Sequence, residues 1–165
     1  MTRVSNDHGS FEAPDAWTQM PGLGAAGCSP EELSAPTRPH PSILLTGDVR
    51  DPAMRASAYV AAQLDALSKL MAEWRSIDGN VTDAEPGPAV VRHGFNAPDE
   101  GWIVQFQAYW FFGERVSIVT ATTPAADTSA AWEVFAAAMA SFEAPPPPPV
   151  SDAREGSETA QEARG

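Results

Sequence analysis

Two alternating segments around a short turn constrain this chain more than any other feature. Residues 102–112 and 115–123 alternate in side-chain character, and Gly113-Glu114 between them is a Gly-X turn of the kind that closes β-hairpins. Pairing across this turn places Phe112 opposite Arg115, and the other pairs follow by counting. The sequence therefore predicts an antiparallel hairpin whose register is set by its turn.

The two faces of this hairpin differ, because successive side chains of a strand point to opposite sides. The first face is nearly all apolar and is expected to pack under a helix. It carries Trp102, Val104, Phe106, Ala108, Trp110, Phe112, Ser117, Val119 and Ala121. The second face is apolar near the turn and has amides and hydroxyls at its far end. It carries Ile103, Gln105, Gln107, Tyr109, Phe111, Val116, Ile118, Thr120 and Thr122. Its Gln and Thr side chains either face water or bind a partner, and the sequence leaves both interpretations open.

Two amphipathic helices are predicted, one on each side of the hairpin in the chain. The first begins at Asp51-Pro52, an N-cap followed by proline at the first helical position, and runs to about residue 75. The second covers about residues 128–142. Apolar residues recur at spacings of three and four, which is typical of a helix with one buried stripe. The stripes are Val60, Leu64, Leu67, Met71 and Trp74 in the first helix, and Trp132, Phe135, Met139 and Phe142 in the second.

Shorter patterns complete the predicted fold. Residues 10–13, 17–20, 42–47 and 88–95 are predicted strands, and a capping box beginning at Ser29 predicts one helical turn in a Gly- and Pro-rich connection. The fold class is therefore α+β, a twisted antiparallel β-sheet flanked by two main α-helices. We predict three parts: a flexible N-terminus over residues 1–9, a single α+β domain over 10–143, and a polyproline and acidic disordered tail over 144–165.

The charge and the start of the chain favour some environments over others. The formal net charge of −12 opposes binding to nucleic acid and to anionic membrane surfaces, because both attract Lys and Arg. The first ten residues have no apolar core typical of a signal sequence, and no apolar run is long enough for a membrane span. We therefore expect a cytoplasmic protein with no nucleic acid partner and no membrane insertion. The sequence leaves homodimerisation open.

The motifs with catalytic or cofactor-binding associations lack the context that their chemistry needs. Residues 22–27 match the dinucleotide-binding pattern, but prolines interrupt the helix that would have to follow. The single cysteine, Cys28, has no histidine close to it in sequence, and the three histidines have no ligand-like spacing. His93 lies in a predicted strand and is interpreted as structural. We therefore predict no cofactor, no metal and no catalytic residues, so the chain is not expected to be an enzyme.

The order of the elements carries a family resemblance. Its parts are the opening Phe11, Pro14 and Trp17, the strand GPAVVRHGF from Gly87, the hairpin QFQAYWFFGERVSIVTATTP from Gln105, and the closing Ala140-Ser141-Phe142. Over roughly residues 10–143 this set resembles the DcrB-related members of the Mog1/PsbP-like superfamily. The resemblance implies an antiparallel sheet flanked by helices and a non-enzymatic function. Its branches include Eag-type chaperones of type VI secretion, which hold apolar segments of an effector, and LpqN-like lipoproteins, from which we expect this chain to differ because its sequence predicts no signal and no lipidated cysteine.

The predicted function is non-catalytic binding. The chain would be a chaperone or adaptor that shields an apolar helical segment of a partner protein, such as a secreted effector. The contact surface would lie on the second face of the hairpin, with apolar contacts and hydrogen bonds from separate side chains. These are Tyr109, Phe111 and Ile118 for apolar contact, and Gln105, Gln107 and Thr120 for hydrogen bonds. The alternative is a carrier of a small molecule or lipid with a cavity between helix and sheet.

Overall fold

Nine strands and three α-helices are present in the part of the chain that the computed structural model describes, residues 1–36, 38–81, 83 and 87–147. The first strands are β1 (Thr2–Asn6), β2 (Gly9–Ala13), β3 (Thr18–Met20) and β4 (Gly24–Ala26), followed by the short helix α1 (Pro30–Ser34) and β5 (Ser42–Val49). Then come α2 (Ala56–Leu70), β6 (Arg75–Asn80), β7 (Ala89–Ala97), β8 (Gly101–Phe112) and β9 (Arg115–Pro124). A 3₁₀ turn (Ala125–Asp127) leads into α3 (Thr128–Ala140).

Seven of the strands form one antiparallel sheet in the order β3-β4-β5-β9-β8-β7-β6, and β1 pairs with β2 separately. The central β8–β9 hairpin has the predicted register, with Phe112 opposite Arg115 and Tyr109 opposite Ile118. The predicted α+β class with an antiparallel sheet is confirmed. Every pairing in the sheet is antiparallel, including that between β5 and β9, which are far apart in the chain.

The first face of the hairpin packs under a helix, as predicted. Phe106 and Val119 of the sheet lie in one cluster with Ala131 and Phe135 of α3, and each of these side chains is at most 3% exposed. The ring centroids of Phe106 and Phe135 are 5.6 Å apart. This cluster is the larger of the two cores.

The predicted flexible N-terminus is instead a β-hairpin that extends this core. Val4 pairs with Phe11 across β1 and β2, and both side chains are buried against the sheet. The Ser117 hydroxyl of β9 donates a hydrogen bond to the carbonyl oxygen of His8 at 2.6 Å. The sequence gives little sign of β1 because Val4 is its only buried side chain among polar neighbours.

The first long helix is shorter than predicted at both ends. Asp51 does not cap it; its carboxylate accepts a hydrogen bond from the Ala53 amide at 2.8 Å, and the helix begins at Ala56. The apolar stripe continues in sequence beyond Leu70, but residues 75–80 pair with β7 as β6 instead of continuing the helix. Strand pairing at the sheet edge outweighs the helical spacing of Met71 and Trp74.

Of the remaining predicted details, one is confirmed and one differs from the structure. The capping box at Ser29 and Glu32 is confirmed, with both of its hydrogen bonds present at the start of α1. Strand β4 lies inside the connection that was predicted to be irregular apart from that turn. Residues 148–165 of the predicted tail lie outside the described residues, and before them the carbonyl of Pro146 accepts a hydrogen bond from Arg115 at 3.0 Å.

Candidate functional site

The six predicted contact residues lie together on one face of β8 and β9. Gln107 is opposite Thr120, and Tyr109 is opposite Ile118, so the predicted register, which put these residues on one face, agrees with the structure. Helix α2 lies over the part of this face nearest the hairpin turn. Ala56, Tyr59 and Val60 at its start form the second, smaller core with Tyr109, Phe111, Val116, Ala89 and Val91.

Tyr109 and Phe111 are core residues and not an open contact surface. They are 1% and 2% exposed, and the Tyr59 ring meets them edge-to-face with centroid distances of 6.2 and 5.9 Å. The hydroxyl of Tyr109 donates to Oε1 of Gln107 at 2.6 Å, and Gln107 is only 9% exposed. Burial raises the pKa of Tyr109. Helix α2 therefore closes the predicted platform at Tyr109 and Phe111, and Gln107 is buried beside them.

The other three predicted residues are partly buried, and Gln105 belongs to a polar row across the sheet. The Nε2 atom of His93 and Oε1 of Gln105 are 3.0 Å apart, and Nε2 of Gln105 donates to the Thr122 hydroxyl at 3.0 Å. His93 is fully buried under the Trp74 ring, with 5.8 Å between ring centroids. Burial lowers the pKa of His93, and the hydrogen bond to Gln105 acts in the opposite direction. The row joins three strands and agrees with a structural interpretation of His93.

A buried arginine fixes the start of the α2 region to the hairpin turn. Arg50 is 5% exposed; its Nε donates to the carbonyl of Gly113 at 3.1 Å and its Nη1 to the carbonyl of Met54 at 2.7 Å. Its guanidinium lies 4.7 Å from the centroid of the Phe111 ring. These contacts fix the segment that precedes α2, the helix that covers part of the second face.

An open groove lies on the opposite face of the sheet, beside α3. Its volume is about 670 Å³, and apolar atoms make up most of its lining. The first turns of α3 form one wall, and Asp78, Gly79 and Asn80 of β6 form the other. Val90 and Phe106 lie between the walls on β7 and β8. We call this the α3–β6 groove.

Trp132 is the most prominent side chain of the α3–β6 groove. It is 44% exposed, although its ring is held from below by Phe106 and Phe135 with centroid distances of 5.3 and 5.7 Å. The sequence assigned Trp132 to the buried stripe of α3, whereas the buried residues of the helix are Ala131, Phe135 and Ala138. The neighbouring Glu133 was the sequence signal that Trp132 is exposed, because the single charged residue of an otherwise uncharged helix lies on its solvent side.

Arg92 crosses the floor of the α3–β6 groove. It forms an ion pair with Asp78, and its guanidinium lies 6.0 Å from the Phe106 ring centroid. The Nε atom of Arg92 is buried and has no hydrogen-bond acceptor among the described residues. The α3–β6 groove therefore has apolar side chains at its base and charged side chains of both signs around them.

Residues 22–27, which match the dinucleotide-binding pattern, serve a different purpose. Gly24–Ala26 is β4, which pairs antiparallel with β3 and with β5, so the pattern does not stand at the start of a βαβ unit. Among the described residues, no group of three or more His, Cys, Asp or Glu side chains could hold a metal ion. Within the same residues, no helix is long and apolar enough to cross a membrane.

Comparison with solved structures supports the fold. The protein of unknown function PA94 from Pseudomonas aeruginosa superimposes with a TM-score of 0.60 at 20% identity, covering 90% of this chain and 98% of that one. LpqN, involved in cell envelope biogenesis of Mycobacterium tuberculosis, gives a TM-score of 0.51 at 17% identity, covering 88% of this chain and 90% of that one. No family model and no curated protein matches the sequence. At these identities the chain shares the fold of the two proteins, and the predicted superfamily, like the cytoplasmic location, stays a prediction.

Proposed function

We propose that this chain is a non-catalytic binding protein, a chaperone or adaptor that shields an apolar helical segment of a partner protein. The proposed contact site is the α3–β6 groove and not the second face of the hairpin. The single observation that carries this proposal is the open, mainly apolar groove with Trp132 exposed on its wall. Aromatic side chains that are firmly held yet accessible are typical anchors of protein interfaces.

The dimensions of the sheet favour a helix as the occupant. On this face, α3 packs against β8 and β9, while β7 and β6 extend beyond it to the sheet edge. Neighbouring strands are about 4.8 Å apart, so two strands present a strip about 10 Å wide. That width is about the diameter of one α-helix with its side chains. A partner helix lying beside α3 would complete the helical layer on this face.

Burial of Trp132 would supply much of the binding energy. Full burial of a large apolar side chain contributes about 1.5–3 kcal/mol, and Trp132 has nearly half of its surface left to bury. Val90 is partly buried and adds apolar contact on the floor of the groove. Because Phe106 is already buried, it supports Trp132 and contributes little new contact.

Site-specific photo-crosslinking in cells that naturally make the protein tests this proposal. A photo-reactive amino acid replaces Ser129, which is exposed on the wall of the α3–β6 groove, or Ala66, which is exposed on α2 on the opposite face. We expect one dominant protein partner captured from position 129, lost in the Trp132→Ala variant and retained in the matched control Leu70→Ala, whose side chain is 82% exposed. Capture from position 66 alone, or capture at position 129 that is insensitive to Trp132→Ala, would refute the groove as the site.

A small-molecule or lipid carrier is the second candidate, and the volume of the groove favours it. Ligand pockets in proteins are usually about 300–1,000 Å³, and the α3–β6 groove at about 670 Å³ lies within that range. Native mass spectrometry of the protein purified from the same cells separates the two candidates. A reproducible bound mass that is lost in Trp132→Ala would support the carrier, and its absence together with a crosslinked protein would support the chaperone or adaptor.

A further inference from the structure

The charges around the α3–β6 groove specify which kind of helix it fits. Two carboxylates, Asp78 and Glu133, line the groove, and both residues are exposed. Arg92 is the cation within the lining and is paired with Asp78. Glu133 has no ion pair among the described residues. The lining therefore holds two carboxylates and one arginine, with Glu133 left unpaired beside Trp132, and the chain as a whole carries a net charge of −12.

On this basis, and resting on the proposed function, we infer that the occupant is a cationic amphipathic helix of a partner protein. Its apolar stripe lies over Val90 and Trp132, and Lys or Arg side chains beside the stripe reach Glu133. A cation at that position can also lie over the Trp132 ring, which is a favourable cation–π arrangement. The negative charge of the whole chain attracts such a helix from a distance and repels an acidic one.

An added β-strand is a poorer occupant, although β6 is an edge strand. Every residue of β6 is exposed, so its outer edge is open to solvent. However, the pairing of β6 with β7 shifts register between Ser76 and Asp78, which marks a β-bulge, and Asp78 carries a charge on the same strand. Bulges and charged side chains are the features by which edge strands resist pairing with another chain. The edge thus disfavours a strand while the face beside it remains available to a helix.

Two labelled peptides of about 15 residues test the inference, a length chosen to form about four helical turns. Both carry the same leucine stripe; one has lysines beside it and the other has glutamates. Binding to the full-length protein is measured by fluorescence anisotropy at low and high salt. We expect the lysine peptide to bind at least about 10-fold more tightly at low salt, and the difference to shrink at high salt.

Three variants locate the effect. Glu133→Gln should weaken the lysine peptide by about 2- to 5-fold, as expected for an exposed charge pair. Glu114→Gln, at the exposed hairpin turn far from the groove in the fold, is the matched control and should change affinity less than 2-fold. Trp132→Ala should weaken the lysine peptide by about 10-fold or more.

The outcomes separate this inference from the proposed function. Equal affinity for the two peptides, or equal losses of affinity in Glu133→Gln and Glu114→Gln, would refute the cationic helix as the occupant. If binding still depended on Trp132, the groove would remain the proposed contact site. Binding of the lysine peptide that is unchanged in Trp132→Ala would overturn the groove itself, and with it the proposed function.

Discussion

Replacing Tyr109 with alanine decides whether this side chain is a core residue or a contact residue. Its ring is 1% exposed and is covered by Tyr59 of α2. A buried aromatic ring removes about 150–250 Å² from water. At about 25 cal/mol per Å², this burial is worth about 4–6 kcal/mol as an upper estimate. Aromatic-to-alanine changes in cores cost about 3–5 kcal/mol in practice, and we expect Tyr109→Ala to lower the free energy of unfolding by that amount.

A conservative variant separates the ring from the hydroxyl. Tyr109→Phe keeps the ring and leaves Oε1 of Gln107 without its donor at a site that is only 9% exposed. We expect a loss of about 1–2 kcal/mol, because a buried acceptor would lose its hydrogen bond. Leu70→Ala, at a position 82% exposed, is the control and should stay within about 0.5 kcal/mol of the unchanged protein.

Urea unfolding followed by tryptophan fluorescence and circular dichroism measures these differences, with coincident transitions as the test for two-state behaviour. The reasoning would be refuted if Tyr109→Ala lowered stability by less than about 1 kcal/mol, well below the cost of deleting a buried aromatic ring. If the same variant then also lost partner capture while folded, α2 would not cover the second face in solution. The contact surface predicted from the sequence would in that case be restored.

Three further predictions concern contacts that stabilise the fold. Burial holds the pKa of His93 below its unfolded value of about 6.5. The neutral, buried His93 therefore contributes its full stability above that pH, and this contribution is lost as the pH falls and the unfolded chain takes up a proton. His93→Gln should reduce the difference in unfolding free energy, measured in urea, between about pH 7.5 and about pH 5.5. A Cβ on Gly47 would come within 2.0 Å of Nδ1 of His8, so Gly47→Ala should cost about 1–3 kcal/mol and His8→Ala should recover part of it in a double-mutant cycle; additive losses would argue against the contact. Arg50→Lys should cost about 1–3 kcal/mol in urea unfolding, because the donors of a lysine are all on one nitrogen and cannot replace Nε and Nη1 of Arg50, which reach the Gly113 and Met54 carbonyls separately; an unchanged midpoint would contradict this.

The features that the sequence predicted correctly are those decided by near neighbours in the chain. The register of β8 and β9 follows from Gly113-Glu114, because a two-residue turn leaves little freedom in pairing. The start of α1 follows from Ser29 and Glu32, which are three residues apart and satisfy each other's hydrogen bonds. Both depend on groups within a few residues, so periodicity and turn chemistry were sufficient.

The error at the end of the first long helix has a different cause, which is pairing with a strand that the helical spacing does not reveal. Met71 and Trp74 continue a helical spacing, yet the chain leaves the helix there, and Glu73 takes a left-handed φ of 53° at the turn into β6. Residues 75–80 then gain backbone hydrogen bonds from β7, a strand that begins nine residues after β6 ends. A local pattern contains no information about such a partner, and tertiary pairing commonly outweighs weak propensity.

The position of the candidate site depends on how much of the width of the sheet is covered by helices and by the β1–β2 hairpin. Seven strands about 4.8 Å apart span about 29 Å, whereas one helix covers about 10 Å. On the α3 face, the β1–β2 hairpin packs with β4 and β5, and α3 packs with β9 and β8, which leaves β7 and β6 uncovered by either. The sequence showed two helices and two faces of one hairpin, but it did not show that residues 1–13 would form a hairpin on one face or that residues 75–80 would add a strand to the edge. Those two additions determine where the open strip lies, and both depend on contacts outside the added segment: the β1–β2 hairpin packs on β9 and the rest of the sheet, and β6 pairs with β7. Trp132 could therefore be recognised as a helix residue from its spacing, but its exposure depends on a sheet edge formed more than fifty residues earlier in the chain.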